Sequence, residues 1–167
     1  ALDWKSIPVE GITTISADDV AYMKAIGRSV KLMGISKLIG DEIYTCVRPV
    51  AIPINSKYAS IVNEYNAISV LGEAVGELFF TGKGAGKNPT ATAVLGDLMD
   101  LLQNKKKKRN TRLKPGIPIQ FYPLPADWIV RDGKDDYILI QNITEDELLA
   151  KKVQMGISDE IHYLMWQ

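Results

Sequence analysis

The chain has 167 residues, of which 46% are hydrophobic and 24% charged, a composition typical of an ordinary globular protein with one core. Its formal net charge is zero, which argues against a nucleic-acid or anionic-membrane partner, and no apolar run approaches the about 20 residues of a membrane span. A single cysteine, Cys46, excludes an internal disulfide and fits a reducing compartment, so we expect a cytoplasmic protein. Because the sequence starts without methionine, we also expect it to be part of a longer protein.

The first third of the chain predicts a helix followed by a β-hairpin. Ser16 and Asp19 have the spacing of a capping box, so a helix is expected to begin after Ser16. Strand-like runs at 29–38 and 42–50 are joined by a predicted turn at 39–41. Cys46 is expected to be a small core residue. Within and after the second run, Pro49 and Pro53 indicate an edge strand or an exit from the sheet.

The middle of the chain predicts a second hairpin that leads into a glycine loop and a helix. Strand-like runs at 66–71 and 73–80 flank Gly72, and the second run continues into a loop with glycine at every second position, 82–86. Asn88 is predicted to be the N-cap of the following helix, with Pro89 at its first position. The apolar face of this helix is formed by residues at helical spacing, namely Val94, Leu95, Leu98, Leu101 and Leu102.

A strand, a glycine loop and a helix in this order present backbone N–H groups and a positive helix end to a polar or anionic group. A tight strand-to-helix connection explains the same pattern, and both interpretations remain open at this point. A phosphate-binding P-loop is excluded, because Thr81 and Asn88 stand where glycine and Ser or Thr are required. The dinucleotide fingerprint also fails, since the third glycine comes one residue too early.

The last third of the chain combines a basic run, a proline-rich stretch and an acidic tail. We interpret the basic run at 105–109 as a solvated helix end rather than a nucleic-acid site, because no aromatic residues interleave it. The stretch 113–131 is predicted to be a linker. The tail 132–167 predicts a strand, a helix beginning at Thr144 and a final strand. It contains the only histidine, His162, which we expect to be structural because no carboxylate or thiolate stands at ligand spacing; no metal site is predicted.

The order and spacing of several blocks resemble the second half of a homoserine dehydrogenase, over residues 8–103. The matching blocks are Val9-Glu10-Gly11-Ile12 with Ile15, Asp19 and Gly27; Val30-Lys31-Leu32; Val47-Arg48-Pro49; Asn66-Ala67-Ile68 with Val70; Gly82-Lys83-Gly84-Ala85-Gly86; and Pro89-Thr90-Ala91-Thr92-Ala93-Val94 with Gly96-Asp97.

The resemblance implies an oxidoreductase that uses NADP or NAD and interconverts homoserine and aspartate 4-semialdehyde, in threonine, methionine and isoleucine synthesis. Gly86 matches the position where the family's backbone approaches the nicotinamide cofactor, so it is the predicted cofactor-binding residue. The family's catalytic lysine, its substrate-binding carboxylates and its Rossmann domain lie before the start of this chain. No catalytic residue is therefore assigned, and we expect the chain to be inactive alone.

The predicted elements and the resemblance together imply an architecture and partners. We expect an α+β fold, with a mixed or antiparallel sheet covered by helices on one face and a small C-terminal βαβ unit that is ACT-like. Residues 1–112 are assigned to the C-terminal part of the catalytic and dimerisation domain, and 132–167 to the tail. The expected partners are a second copy, with the tail contributing to the interface, and the N-terminal Rossmann portion of the same protein. A non-enzymatic dimerisation or amino-acid-sensing module stays open as the alternative.

Overall fold

The computed structural model describes residues 7–40, 42–103, 124–132, 136–157 and 162–165. In chain order the elements are α1 (Ala17–Ala25), β1 (Arg28–Ile39), β2 (Glu42–Pro53), β3 (Tyr65–Gly72), β4 (Gly76–Lys83), α2 (Lys87–Leu102), β5 (Ala126–Arg131), β6 (Tyr137–Ile143), α3 (Glu145–Gln154) and β7 (His162–Met165). They divide into two compact units: unit one comprises Ala1–Ile54 with Lys114–Gln167, and unit two is Asn55–Leu113.

Unit one is built on a five-stranded sheet in the order β1-β2-β7-β5-β6. The hairpin β1–β2 is antiparallel from Arg28 opposite Pro53 to Ile39 opposite Glu42, as predicted, and Gly40 in its turn has a φ of 60°. The pair β2–β7 is parallel, whereas β5 is antiparallel to both of its neighbours. The prediction of an α+β fold with a mixed sheet is therefore confirmed.

Helix α1 begins at the predicted capping box and is tied to the sheet by one buried carboxylate. The Asp19 backbone N–H donates to Ser16 Oγ at 3.1 Å, and the Ser16 backbone N–H donates to Asp19 Oδ2 at 2.7 Å. The buried Asp19 carboxylate also accepts from Arg131 Nη1 and from the Tyr137 hydroxyl, each at 2.7 Å. One turn further along, Met23 packs into the core cluster. Strands β5 and β6 are thus held to α1 by both charge and apolar packing.

The core of the sheet is covered on two faces. Met23 packs with Ala51, Ile129 and Tyr163 on the face toward α1. Side chains alternate along a strand, so Trp128 and His162 project from the opposite face, where α3 contributes Glu145. Helices therefore contact both faces of this sheet, rather than the single face expected from the sequence.

The tail differs from the prediction at its beginning and in its partner. Residues 126–131, assigned to the linker, form β5 instead, because Trp128, Ile129 and Val130 follow the last proline and are buried on both faces of the sheet. Residues 113–123 of the linker and the basic run 105–109 lie outside the described residues. The predicted order of strand, helix and strand is observed in β6, α3 and β7. Strand β7 pairs with β2, however, so the tail shares one unit with residues 1–54 rather than forming a separate one.

Strand β2 is an interior strand, which corrects the edge position that Pro49 indicated. The Val47 backbone N–H donates to Pro8 O at 2.9 Å, and the Glu10 backbone N–H donates to Val47 O at 2.8 Å. Strand β7 pairs with β2 only from Val50 onward. Because backbone N–H groups alternate along a strand, residue 49 faces the same side as Val47, at the seam between these two partner segments. The missing N–H of proline therefore interrupts no ladder bond at this position.

Unit two contains the predicted second hairpin and the helix α2. Strands β3 and β4 pair from Tyr65 opposite Lys83 to Gly72 opposite Gly76. Helix α2 begins at Lys87 with Gly86 as its N-cap and has no side-chain cap, so the prediction that Asn88 caps the helix is wrong. The chain turns into the helix two residues earlier, because Gly86 adopts a backbone conformation that asparagine rarely takes. Among the described residues, no helix is long and apolar enough to cross a membrane.

Candidate functional site

The glycine loop of unit two is held against the hairpin by two bonds to one residue. The Gly84 backbone N–H donates to Glu64 O at 2.8 Å, and Lys83 Nζ lies 2.8 Å from Glu64 Oε1. The hydrogen bond from Lys83 lowers the pKa of the Glu64 carboxyl. A Cβ atom on Gly84 would meet the end of the Asn66 side chain, so a substitution here requires Asn66 to turn away. The loop thus follows the end of β4 closely.

Gly86 makes the turn from the loop into α2. Its φ of 105° and ψ of 159° are accessible to glycine but strained for residues with a Cβ. The Thr90 backbone N–H donates to Gly86 O at 3.1 Å and closes the first turn of the helix. Because no side chain caps α2, the N–H groups of its first turn remain available to a ligand. Gly86, the predicted cofactor-binding residue, therefore lies at the positive end of a 16-residue helix.

A concavity of about 850 Å³ opens in front of this turn. It is lined by Glu64, Lys83, Ala85, Gly86, Lys87, Asn88, Pro89, Thr92 and Ala93. Its lining combines glycine backbone and small side chains with two lysines and a glutamate. Such a surface lets a planar polar group approach the main chain closely and offers it backbone N–H donors. Whether the loop binds a cofactor stays a prediction of the resemblance.

A second group of functional side chains lies in unit one, and we call it the charged cluster: Glu10, Arg48, Glu145 and His162. Arg48 Nη2 lies 2.7 Å from Glu145 Oε2. His162 Nε2 lies 3.3 Å from Glu10 Oε1 and 3.6 Å from Glu145 Oε1. The guanidinium of Arg48 also stands over the Trp128 ring, 5.2 Å from its centroid. Four segments of the chain therefore meet through their charges on one face of the sheet.

The fold determines the geometry of the charged cluster. Glu10 is placed by the backbone bonds between residues 8–10 and β2, and Glu145 is the first residue of α3, which the Thr144 and Glu147 capping box begins. His162 lies in β7 opposite Val130 of β5. The side chains of Arg48 and His162 are 1% and 5% exposed, whereas those of Glu10 and Glu145 are about one third exposed.

Burial and pairing shift the pKa values within the charged cluster in opposite directions. Burial lowers the pKa of His162, but its bonds to Glu10 and Glu145 outweigh this and raise the pKa to about 9. Burial raises the pKa of Glu145, and its bonds to His162 and Arg48 outweigh this and lower the pKa to about 2. Burial also lowers the pKa of Arg48, yet the pairing with Glu145 raises it overall. Each group thus stabilises the charge of its neighbour.

The charged cluster is what reasoning from the sequence missed. His162 was expected to have no carboxylate partner at ligand spacing, whereas the fold brings two carboxylates to it from distant parts of the chain. The ligand atoms of Glu10, Glu145 and His162 lie within 4.8 Å of one another, a donor set that can hold a metal ion. The only signal in the sequence was an arginine, Arg48, within the otherwise apolar run 46–54.

Comparison with known proteins supports the resemblance. The family model described as homoserine dehydrogenase matches residues 1–99, more than half of the chain. Homoserine dehydrogenase of Helicobacter pylori is 40% identical over 164 residues, covering 89% of this chain and 38% of that protein. The Bacillus subtilis enzyme is 39% identical over 105 residues, covering 63% of this chain and 24% of that protein. The chain thus spans well under half the length of these relatives.

Solved structures show the same fold. A crystal structure of homoserine dehydrogenase from S. aureus at pH 7.0 has a TM-score of 0.66 at 21% identity, over 100% of this chain and 49% of that chain. The enzyme from Thiobacillus denitrificans has a TM-score of 0.65 at 23% identity, over 95% of this chain and 47% of that chain. Together with the match of the family model over residues 1–99, these findings establish that the chain belongs to the homoserine dehydrogenase family.

Proposed function

We propose that this chain is the C-terminal part of a homoserine dehydrogenase that oxidises L-homoserine to L-aspartate 4-semialdehyde with NAD(P), in threonine and methionine synthesis. The observation that carries the proposal is Gly86, whose φ of 105° turns the chain into an uncapped helix at the position where the family's backbone approaches the cofactor. The names of the relatives in Helicobacter pylori and Bacillus subtilis support the reaction. The thiol of Cys46 is buried and forms no disulfide, which supports a cytoplasmic enzyme.

The residues around Gly86 fit a nicotinamide cofactor. NAD(P), when bound, supplies the hydride acceptor that turns the primary alcohol of homoserine into an aldehyde. The small residues Gly86, Ala85 and Ala93 leave the concavity open to a flat ring. The first-turn N–H groups of α2 would hold a polar substituent of that ring, and the ion pair of Lys83 with Glu64 fixes the loop that carries Gly86.

The experiment that tests the reaction uses the complete protein that contains this chain. We expect homoserine-dependent reduction of NAD or NADP, and no reduction when homoserine is replaced by an amino acid without a side-chain hydroxyl. Absence of turnover with both cofactors, in a preparation shown to be folded by circular dichroism, would contradict the proposal.

We further propose that the protein is a homodimer, as the family resemblance implies. The two-stranded sheet of unit two supports this, because one of its faces carries cross-strand apolar pairs that are exposed: Ile68 opposite Phe80 and Val70 opposite Leu78. Ile68 is 67% and Phe80 58% exposed. An apolar sheet face of this kind is normally covered, and a second copy of the chain is the occupant that we propose.

A further inference from the structure

The charged cluster has a geometry that ion pairing alone does not require. Charge-assisted N–H···O bonds are about 2.7–2.9 Å long, and the pair between Arg48 and Glu145 falls in that range at 2.7 Å. The two contacts of His162 Nε2, at 3.3 Å to Glu10 Oε1 and 3.6 Å to Glu145 Oε1, are clearly longer. Two ligands of one tetrahedral zinc ion with bonds of about 2.0–2.1 Å lie about 3.3–3.4 Å apart. The two distances from His162 Nε2 are therefore close to the separation of ligands around a common ion, and all three ligand atoms lie within 4.8 Å of one another.

The chemistry of the donors points the same way. Imidazole nitrogen and carboxylate oxygen are ordinary zinc ligands, and three protein ligands with an open fourth position are a common arrangement. The imidazole is buried, while the two carboxylates are about one third exposed, which leaves a side of the cluster open to solvent. The donors also come from segments that backbone bonding or helix capping fixes in place.

Arg48 supports the group of three donors without taking up the donor atoms themselves. Its guanidinium holds Glu145 Oε2, whereas Glu145 Oε1 is the atom that faces His162. An outer bond of this kind orients a ligating carboxylate. We propose that Glu10, Glu145 and His162 form a binding site for a divalent transition-metal cation of the zinc class.

The composition of the chain makes the test unusually clean. The chain contains one histidine and one cysteine, and the cysteine is buried, so His162 is the sole imidazole that can bind an added metal. Cobalt(II) is the first probe, because its visible absorption becomes intense and characteristic in a tetrahedral site with nitrogen and oxygen ligands. We expect one equivalent of cobalt to develop this spectrum as the metal displaces the proton of His162, more readily at pH 9 than at pH 7, and zinc to abolish it by displacement.

Variants separate the site from adventitious binding. His162→Gln and Glu10→Gln should each weaken zinc binding, measured by calorimetry, by about tenfold or more. Glu73→Gln serves as the matched control, because this exposed glutamate lies in the turn between β3 and β4. Equal affinity of the wild type and the two site variants would overturn the proposal.

A measurement on the unaltered protein guards against variants that fail to fold. The Nε2 resonance of the single histidine can be observed by nitrogen NMR without assignment. We expect stoichiometric zinc to move this resonance to the position of a metal-bound nitrogen. If the resonance keeps the position of a protonated imidazolium during the titration, the charged cluster is an ion-pair network only and the proposal is wrong.

Discussion

Arg48 Nη2 and Glu145 Oε2 lie 2.7 Å apart and join the middle of β2 to the first residue of α3. The arginine side chain is 1% exposed, so its charge is stabilised by this carboxylate, by the nearby Glu10 carboxylate and by the face of Trp128 rather than by water. A buried pair gains little over apolar residues of similar size, but removing one partner leaves a buried charge without compensation. This asymmetry gives the first prediction.

Glu145→Gln is expected to lower the free energy of unfolding by about 3 kcal/mol, because Arg48 would stay buried after losing its ion-pair partner, with Glu10 as the nearby negative charge that remains. The double variant with Arg48→Met should recover part of that loss. Asp146→Asn, the exposed neighbour in the same helical turn, is the control and should cost no more than about 1 kcal/mol. Urea unfolding measures all three. A double variant as unstable as the sum of its single changes would show that the two side chains do not act as a pair.

The second prediction concerns the acid side of the stability profile. Burial raises the pKa of Asp19, but bonds from Ser16, Tyr137 and Arg131 outweigh this and lower the pKa below its ordinary value. The unfolded chain therefore binds this proton more readily, and the stability that Asp19 contributes is present above the unfolded pKa of about 3.9. This contribution to stability is lost as the pH falls through the lower pKa that Asp19 has in the folded protein.

Asp19→Asn should remove the loss of stability at acidic pH that is due to Asp19, and it should lower the free energy of unfolding at neutral pH. The check is the difference between wild type and variant in urea unfolding at a series of acidic pH values. This difference should shrink as the pH falls below about 4. A difference that stays constant with pH would contradict the assigned coupling between Asp19 and Arg131.

The third prediction concerns the path of the glycine loop. Gly84→Ala would place a Cβ atom against the Asn66 amide, so we expect a loss of about 1 kcal/mol as the Asn66 side chain turns away. Adding Asn66→Ala should relieve most of this loss, because the clashing amide is removed. Gly82→Ala is the control in the same loop, since a Cβ there meets nothing within 4 Å. Thermal unfolding of the four proteins tests this, and a cost for Gly84→Ala that Asn66→Ala leaves unchanged would refute the clash.

The fourth prediction concerns the proposed homodimer. Ile68→Asp places a charge within the exposed apolar face of β3 and β4 and should shift the sedimentation of the protein from dimer to monomer. Leu38→Asp is a matched control, because Leu38 is 64% exposed but lies in β1 of unit one. If wild type and both variants sediment as monomers at tens of micromolar, the homodimer is refuted. If all three remain dimers, the interface lies elsewhere.

Local patterns explain which parts of the fold could be predicted. The capping box of Ser16 and Asp19, the β1–β2 hairpin and the path from β4 through glycines into α2 depend on neighbours in sequence, and each was found. The prediction that Asn88 caps α2 was wrong because Gly86, two residues before it, already turns the chain into the helix. Strand β5 was missed because four nearby prolines favoured a linker over the apolar run of Trp128 to Val130.

The charged cluster could not be predicted, for a different reason. The partners of His162 come from the first residues described and from the start of α3, and no sequence periodicity links them. Their meeting depends on β7 pairing in parallel with β2 and on residues 8–10 bonding beside it. Such long-range pairing follows from the topology of the sheet rather than from any local preference.

The central claim is that the backbone at Gly86 serves cofactor binding in the complete enzyme, and one comparison of two glycine variants tests it directly. Gly86 and Gly76 both have positive φ values, 105° and 68°, and both belong to unit two, so valine strains the backbone at either position. Gly86→Val should raise the KM for NAD(P) or lower kcat by about tenfold or more, while Gly76→Val should change stability without changing either constant. Equal kinetics of the Gly86→Val enzyme and the wild type, or equal losses in both variants, would contradict the claim.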